Sequence, residues 1–129
     1  MKLHVAALLA LPALALPAEL EARGTMWFSC DTHNVPDNTH CNALFAWLRL
    51  RGNDNLGYAP WCIEKCCVSW SGDCGATASE IVWRAEKIRD MCGAGKSGVF
   101  QNARGCFGSM CLSNRYTGCG DAPRVWEPW

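Results

Sequence analysis

This chain has no excess of either charge sign: its 129 residues carry 12 Lys and Arg against 12 Asp and Glu. Nucleic-acid binding draws on a basic stripe that neutralises phosphates, and anionic membranes attract polybasic runs. Neither footprint is present, so neither partner is expected. Blocks of like charge are also lacking, which argues against a solvated disordered tail. No internal repeat or low-complexity segment occurs, and histidine is scarce, at three. Beyond residue 18 no apolar run approaches the roughly 20 residues that span a bilayer, so no stable membrane anchor is expected.

The single apolar run stands at the N-terminus. Lys2 precedes Leu3 to Ala18, which Pro12 and Pro17 interrupt, Glu19 and Glu21 close, and Ala13-Leu14-Ala15 supplies with small residues for cleavage. That pattern predicts a secretory signal peptide over 1–18. Residues 19–23, ending at Arg23, read as a short pro-segment, leaving 24–129 as one domain with a Pro- and Trp-containing C-terminal tail. Removing Lys2, Arg23, Glu19 and Glu21 leaves ten basic and ten acidic side chains, still balanced. The expected location is extracellular.

What the mature region has in abundance is sulfur and indole. All ten cysteines lie there: Cys30, Cys41, Cys62, Cys66, Cys67, Cys74, Cys92, Cys106, Cys111 and Cys119. An even number in a short secreted chain predicts disulfides rather than metal ligands, and no cofactor is expected. Their spacing leaves the connectivity open. A domain of this size buries only about two-thirds of its unfolded surface. Each native bridge contributes about 2–5 kcal/mol, and each buried Trp removes about 150–250 Å² from water, so the two residue types together supply a core that a short chain otherwise lacks.

Trp61 to Ser71 concentrates three of the ten cysteines and two of the seven tryptophans. It predicts one stapled core strand, with Cys66, Val68 and Trp70 on one face and Cys67, Ser69 and Ser71 on the other. Adjacent thiols would then reach different neighbours. Upstream, Thr25 to Cys30 predicts a first strand or extended arm and Asp31 to Asn38 a polar loop. A helix follows from a cap at Asp37 or Thr39 to about Arg51, with Cys41, Leu44, Phe45 and Leu48 at helical spacing and Gly52 as its stop. Downstream, Ser71 to Gly75 is a tight loop pinned by Cys74. Thr77 and Glu80 form a capping box for a second helix whose buried stripe is Ile81, Ala85, Ile88 and Cys92. Glu80 and Arg84 are spaced to pair on its wet side. Gly98-Val99-Phe100 and Cys106-Phe107 predict strands or a hairpin. The expected class is α+β: a small disulfide-rich α/β sandwich, two helices packed on one face of a short, mainly antiparallel sheet.

Catalytic patterns are weak. Gly93-Ala94-Gly95-Lys96-Ser97 ends like a phosphate-binding loop, but Asp90 stands where that pattern needs glycine and a helix precedes it, so it reads as a helix stop. Gly105 to Ser109 lacks nucleophile-elbow spacing and reads as a turn. His33 and His40 lie near Asp31 and Asp37 in a polar loop and helix start, where solvated histidines are ordinary. Glu64, Asp73 and Glu80 do not form the paired carboxylates of a glycosidase. No catalytic residue is assigned. Trp61 and Trp70 are expected in the core. Trp83 falls off its helix stripe, packed under a loop or exposed. Trp27, Trp83, Trp126 and Trp129 are the candidate partner-binding aromatics.

Cys66-Cys67-Val68-Ser69-Trp70-Ser71, together with Cys111-Leu112-Ser113-Asn114-Arg115 and Gly118-Cys119, resembles the small fungal secreted cysteine-rich proteins of the WD-like domain family. The resemblance runs from about Cys30 to Cys119, with Cys41 opening the first helix and Cys74 outside the pattern. It brings no catalytic residues, and implies a fungal, secreted protein with an effector-like or toxin-like role by analogy. Ser113, Asn114 and Arg115 read as a structural turn in which Arg115 fastens the last strand to the body. Hydrophobin-like assembly requires two cysteine doublets, and this chain has one. The expected function is a secreted, monomeric, non-enzymatic binding protein, effector or killer-toxin-like, directed at a host, competitor or cell-wall target. The alternative is a small secreted hydrolase or hydrolase inhibitor using His33, His40 and the nearby acids.

Overall fold

A computed structural model describes residues 26–57, 60–71, 76–102, 109–120 and 124–128. The expected signal peptide and pro-segment, Cys74, Cys106-Phe107 and Trp129 lie outside the described residues. The elements are β1 (Met26–Asp31), α1 (Asn38–Arg51), β2 (Pro60–Ile63), β3 (Cys66–Trp70), α2 (Ala78–Cys92), β4 (Ser97–Asn102), β5 (Ser109–Ser113) and β6 (Glu127–Pro128). The strands form one antiparallel sheet in the order β2-β3-β5-β4-β1-β6. This is the expected α+β architecture, with α1 against β2 and β3 and α2 against β1, β4 and β5.

Local chemistry sets the helices. The Asp37 carboxylate accepts from the Thr39 and His40 amides at 2.9 and 3.1 Å, capping α1. Cys41, Leu44, Phe45 and Leu48 then fall on one buried stripe, and Gly52 closes the helix at φ +54°. Thr77 Oγ1 accepts from the Glu80 amide at 3.3 Å to start α2, which buries Ala78, Ile81, Val82, Ala85 and Ile88. Arg84 does not sit on a wet side as its spacing with Glu80 suggested. It is half-buried, lies 6.0 Å from the Phe100 ring centroid and donates to the Glu80 backbone carbonyl at 3.3 Å. Burial lowers its pKa, against a smaller opposing effect from the Glu80 charge. The two helices are joined by an Arg49–Glu86 ion pair, and Arg89 donates to Asn42 at 2.6 Å while lying over the Phe45 ring.

Strand register divides the sheet into two unlike faces. Cys66, Val68, Phe100, Met110 and Leu112 point at the helices and are fully buried. Gly98 lies in this row beneath α2, where a Cβ would come 2.8 Å from Cys92 Sγ and closer still to Ile88 Cγ2. Absence of a side chain is what lets the helix approach. Cys30–Cys92 and Cys41–Cys66 cross from the sheet to α2 and α1, with Cα separations of 5.4 and 5.1 Å. Cys62–Cys67 and Cys111–Cys119 lie on the opposite face, where Val99, Cys111 and Cys119 make a small second apolar cluster. The eight described cysteines are thus all bridged, and the Cys66-Cys67 doublet reaches two neighbours on two faces as alternation requires.

Two elements differ from expectation. The stretch from Trp61 is a hairpin rather than one strand: Glu64 and Lys65 turn the chain, Glu64 at φ +46°, so that Ile63 faces Cys66 and Cys62 faces Cys67. Glu-Lys is not among the Asn-Gly or Asp-Gly pairs that announce such a turn, and its fastening comes from outside the hairpin. Lys65 N–H donates to His40 Nδ1 at 3.2 Å, His40 Nε2 sits 2.7 Å from Glu64 Oε2, and Asp37 N–H donates to the Lys65 carbonyl at 2.9 Å. The C-terminal tail likewise ends in a strand, with Glu127 and Pro128 paired to Phe28 and Trp27. Proline is tolerated there because β6 is an edge.

Candidate functional site

The face turned away from the helices carries an open groove of about 780 Å³. Its floor comes from the strand positions that alternate with the core. Ser69 on β3, Val99 and Gln101 on β4, and Ser109 and Cys111 on β5 share this side of the register. Ser71 extends the floor, bonded to Ser109 through its amide at 2.9 Å and its hydroxyl at 3.0 Å. The wall comes from the chain after β5. The Cys111–Cys119 bridge draws that segment back over the sheet and sets Tyr116, Thr117 and Gly120 along one side, with Arg124 and Trp126 beyond.

This wall places the Ser113, Asn114 and Arg115 turn. Ser113 Oγ donates to the Arg115 carbonyl at 3.0 Å, Asn114 N–H donates to the Asn34 carbonyl at 3.0 Å, and Arg115 Nε donates to the Gly118 carbonyl at 2.9 Å. Arg115 therefore braces its own turn rather than the last strand, and Asn114 makes the tie to the body. Gly120, at φ +82°, leaves room for the Arg115 guanidinium: a Cβ there would lie 2.7 Å from its Nη2.

The electrostatics of the groove are one-sided. Arg124 is the only side chain charged at neutral pH among its described lining residues. Arg124 Nη2 donates to the Cys119 carbonyl at 3.2 Å, while Nη1 is buried with no hydrogen-bond partner among the described residues. Buried polar atoms are nearly always satisfied, so an orphan of this kind asks for an acceptor. Arg115 adds a second guanidinium at the rim.

Neither histidine lines this groove. His33 is 82% exposed and donates from Nδ1 to Asp31 at 2.8 Å, which lowers the Asp31 pKa. Asp37 is also lowered, chiefly by the His40 amide that it caps. His40 is engaged by the hairpin turn: with Nδ1 accepting from Lys65 N–H, its proton sits on Nε2 and is donated to Glu64. The two histidines thus belong to separate surface contacts. No cluster of three or more His, Cys, Asp and Glu suited to a metal occurs among the described residues.

Of the candidate aromatics among the described residues, only Trp126, 39% exposed, lines the groove. Trp27 is exposed on the same sheet face beside Gln101, and Trp83 is exposed on α2 with Arg84 near its ring. Trp61 and Trp70 are partly buried against the core, as expected. Sequence reasoning passed over Tyr116, Thr117, Gln101 and Arg124 in the groove, and Trp47, which stacks on Trp61 at 5.1 Å beneath Arg51. The alternation Cys67, Ser69, Ser71 was the one signal of a polar face. Finding the rest required strand register.

A comparison with curated proteins and another with solved structures found no match. The model of the Fungal WD-like family matches residues 9–119, beginning well before Cys30 and ending at the Cys119 that ties down the groove wall. With this match extending over most of its length, the chain belongs to the Fungal WD-like family.

Proposed function

We propose that this protein is a secreted, non-enzymatic binding module, effector-like or killer-toxin-like, which acts outside the fungal cell by holding a ligand in the open face of its sheet. The observation that carries this is the groove itself. Hydroxyl, amide, indole and guanidinium groups converge on one cavity whose described lining includes no carboxylate or imidazole. Catalytic sites characteristically bring an acid or base within reach of a reacting group, whereas both histidines here are committed elsewhere. The volume lies within the roughly 300–1,000 Å³ typical of ligand pockets. The bridges support export, since disulfides persist in oxidising compartments. Four of them make the sheet a rigid presenter of side chains.

The test is capture of ligands from host and fungal extracts by the oxidised protein, beside a reduced and alkylated control and Gln101→Trp, which fills the groove from an exposed position. Retention by the oxidised wild type alone is the expected result. Equal retention by Gln101→Trp would refute the assignment to this face. Hydrolysis of a polysaccharide or peptide that His33→Ala or His40→Ala abolishes would replace it with the hydrolase.

A further inference from the structure

Taking the groove as the binding site proposed above, we infer that its ligand is an acidic oligosaccharide, a short chain of pyranose rings bearing a carboxylate. Three features of the site converge on this class. First, the floor and wall offer Ser69, Ser71, Gln101 and Thr117, whose hydroxyls and amide both donate and accept. Sugar hydroxyls do the same, so either direction of bonding is available along the floor. Second, Tyr116 and Trp126 stand at the groove with 70% and 39% of their surface exposed. Such rings cover the apolar C–H face of a pyranose, and each brings a polar tip that suits a half-wet site.

The third feature is the charge. Arg124 is held through Nη2, and its buried Nη1 lacks an acceptor among the described residues. A carboxylate supplies that acceptor with charge assistance, and a guanidinium suits it better than it suits a hydroxyl. Arg115, packed against Gly120, places a second positive group at the same wall. A neutral glycan would leave Arg124 Nη1 with only weak partners.

An acidic peptide carries the same charge but fits the location less well. Extended peptides bind by adding to a sheet edge, where backbone groups are free to pair. The floor of this groove is strands β3, β5 and β4, which are already paired to one another. Its binding groups are therefore side chains, and these are rich in hydroxyls.

Titration calorimetry of the oxidised full-length mature protein with tetragalacturonate, the matching neutral galactan oligomer and a tetraglutamate peptide tests the inference. Tetragalacturonate should bind, more weakly as salt rises. Arg124→Gln should weaken it about ten- to hundredfold, the effect of losing a charge-assisted hydrogen bond, with little change for the neutral oligomer. Trp126→Ala should weaken both sugars, while Trp83→Ala, on the helix side, changes neither. Thermal midpoints and intact mass establish that each variant is folded and fully bridged. Tighter binding of tetraglutamate, no binding of tetragalacturonate, or indifference to Arg124→Gln each overturns the acidic-sugar assignment. If neutral sugars bind and Trp126→Ala alone abolishes it, the acidic ligand is refuted while the groove stands. If extract ligands are retained equally by Gln101→Trp, the groove itself is refuted.

Discussion

Replacing Gly98 with alanine tests the close approach of α2 to the sheet. The added methyl would stand 2.8 Å from Cys92 Sγ and nearer still to Ile88 Cγ2. Neither neighbour is the yielding end of a flexible chain: Cys92 is bridged to Cys30 on the strand beside Gly98, and Ile88 is fully buried at a branched carbon. Relief must come from moving α2 off the sheet. Overpacking of this kind costs about 1–3 kcal/mol. In a domain near one hundred residues each kcal/mol shifts the midpoint by about 4–8 °C, so Gly98→Ala should melt several to roughly twenty degrees lower. Gly95→Ala is the matched control, since nothing lies within 4 Å of the added carbon; it should change stability by no more than about 0.5 kcal/mol. The contact can also be isolated by a double-mutant cycle. Ile88→Ala alone should cost about 2–5 kcal/mol as a cavity. Combined with Gly98→Ala it should cost less than the sum, by about 0.5–3 kcal/mol, because the new methyl enters the vacated space. Thermal and urea unfolding of the oxidised proteins measure all four forms. A Gly98→Ala midpoint within a degree of wild type, or strict additivity in the cycle, would refute the packing argument.

Other perturbations separate the contributions of bridges, charge and latch. Loop-closure entropy predicts that removing Cys41–Cys66, 25 residues apart, costs about 3.5 kcal/mol. Removing Cys62–Cys67, 5 residues apart, should cost about 2 kcal/mol, and paired Cys→Ala variants in urea give the order. Asp31 and Asp37 both have folded pKa values below 3.8, from the His33 and His40 hydrogen bonds respectively. As pH falls through that region the unfolded chain takes up protons first, so the stability these carboxylates confer above about pH 4 is lost as pH drops through their folded values. Asp37→Asn, which keeps a capping oxygen, should flatten this acid limb without abolishing the helix, as read by midpoints between pH 2 and 6. For the hairpin turn, His40→Ala should accelerate hydrogen exchange of the Lys65 amide while leaving that of the α2 interior unchanged. Unaltered exchange at Lys65 would show that the imidazole does not hold the turn.

Much of the secondary structure was legible because its causes are local. Asp37 followed by Cys41, Leu44, Phe45 and Leu48 specifies the start and the buried side of α1 within a few turns, and Thr77 with Glu80 does the same for α2. The β2–β3 turn was hidden because Glu64 and Lys65 have no intrinsic turn signature. Their conformation is held by His40 and Asp37, more than twenty residues away in sequence. The β6 strand was hidden for a related reason: two residues carry no period, and only the unpaired edge of β1 makes them a strand.

The candidate site shows the same division more sharply. Cysteine number and amphipathic spacing were sufficient to establish a small bridged α+β domain with two helices over a sheet, since composition and period act along the chain. Which cysteines pair, and which polar residues meet, depended on register, because a strand one residue out of step exchanges its two faces. Ser69, Gln101 and Ser109 lie on three different strands, and Arg124 joins them at the groove through its bond to the carbonyl of Cys119, which is bridged to Cys111. The groove is thus a property of antiparallel pairing and one covalent tie, through which residues distant in sequence come to share a surface.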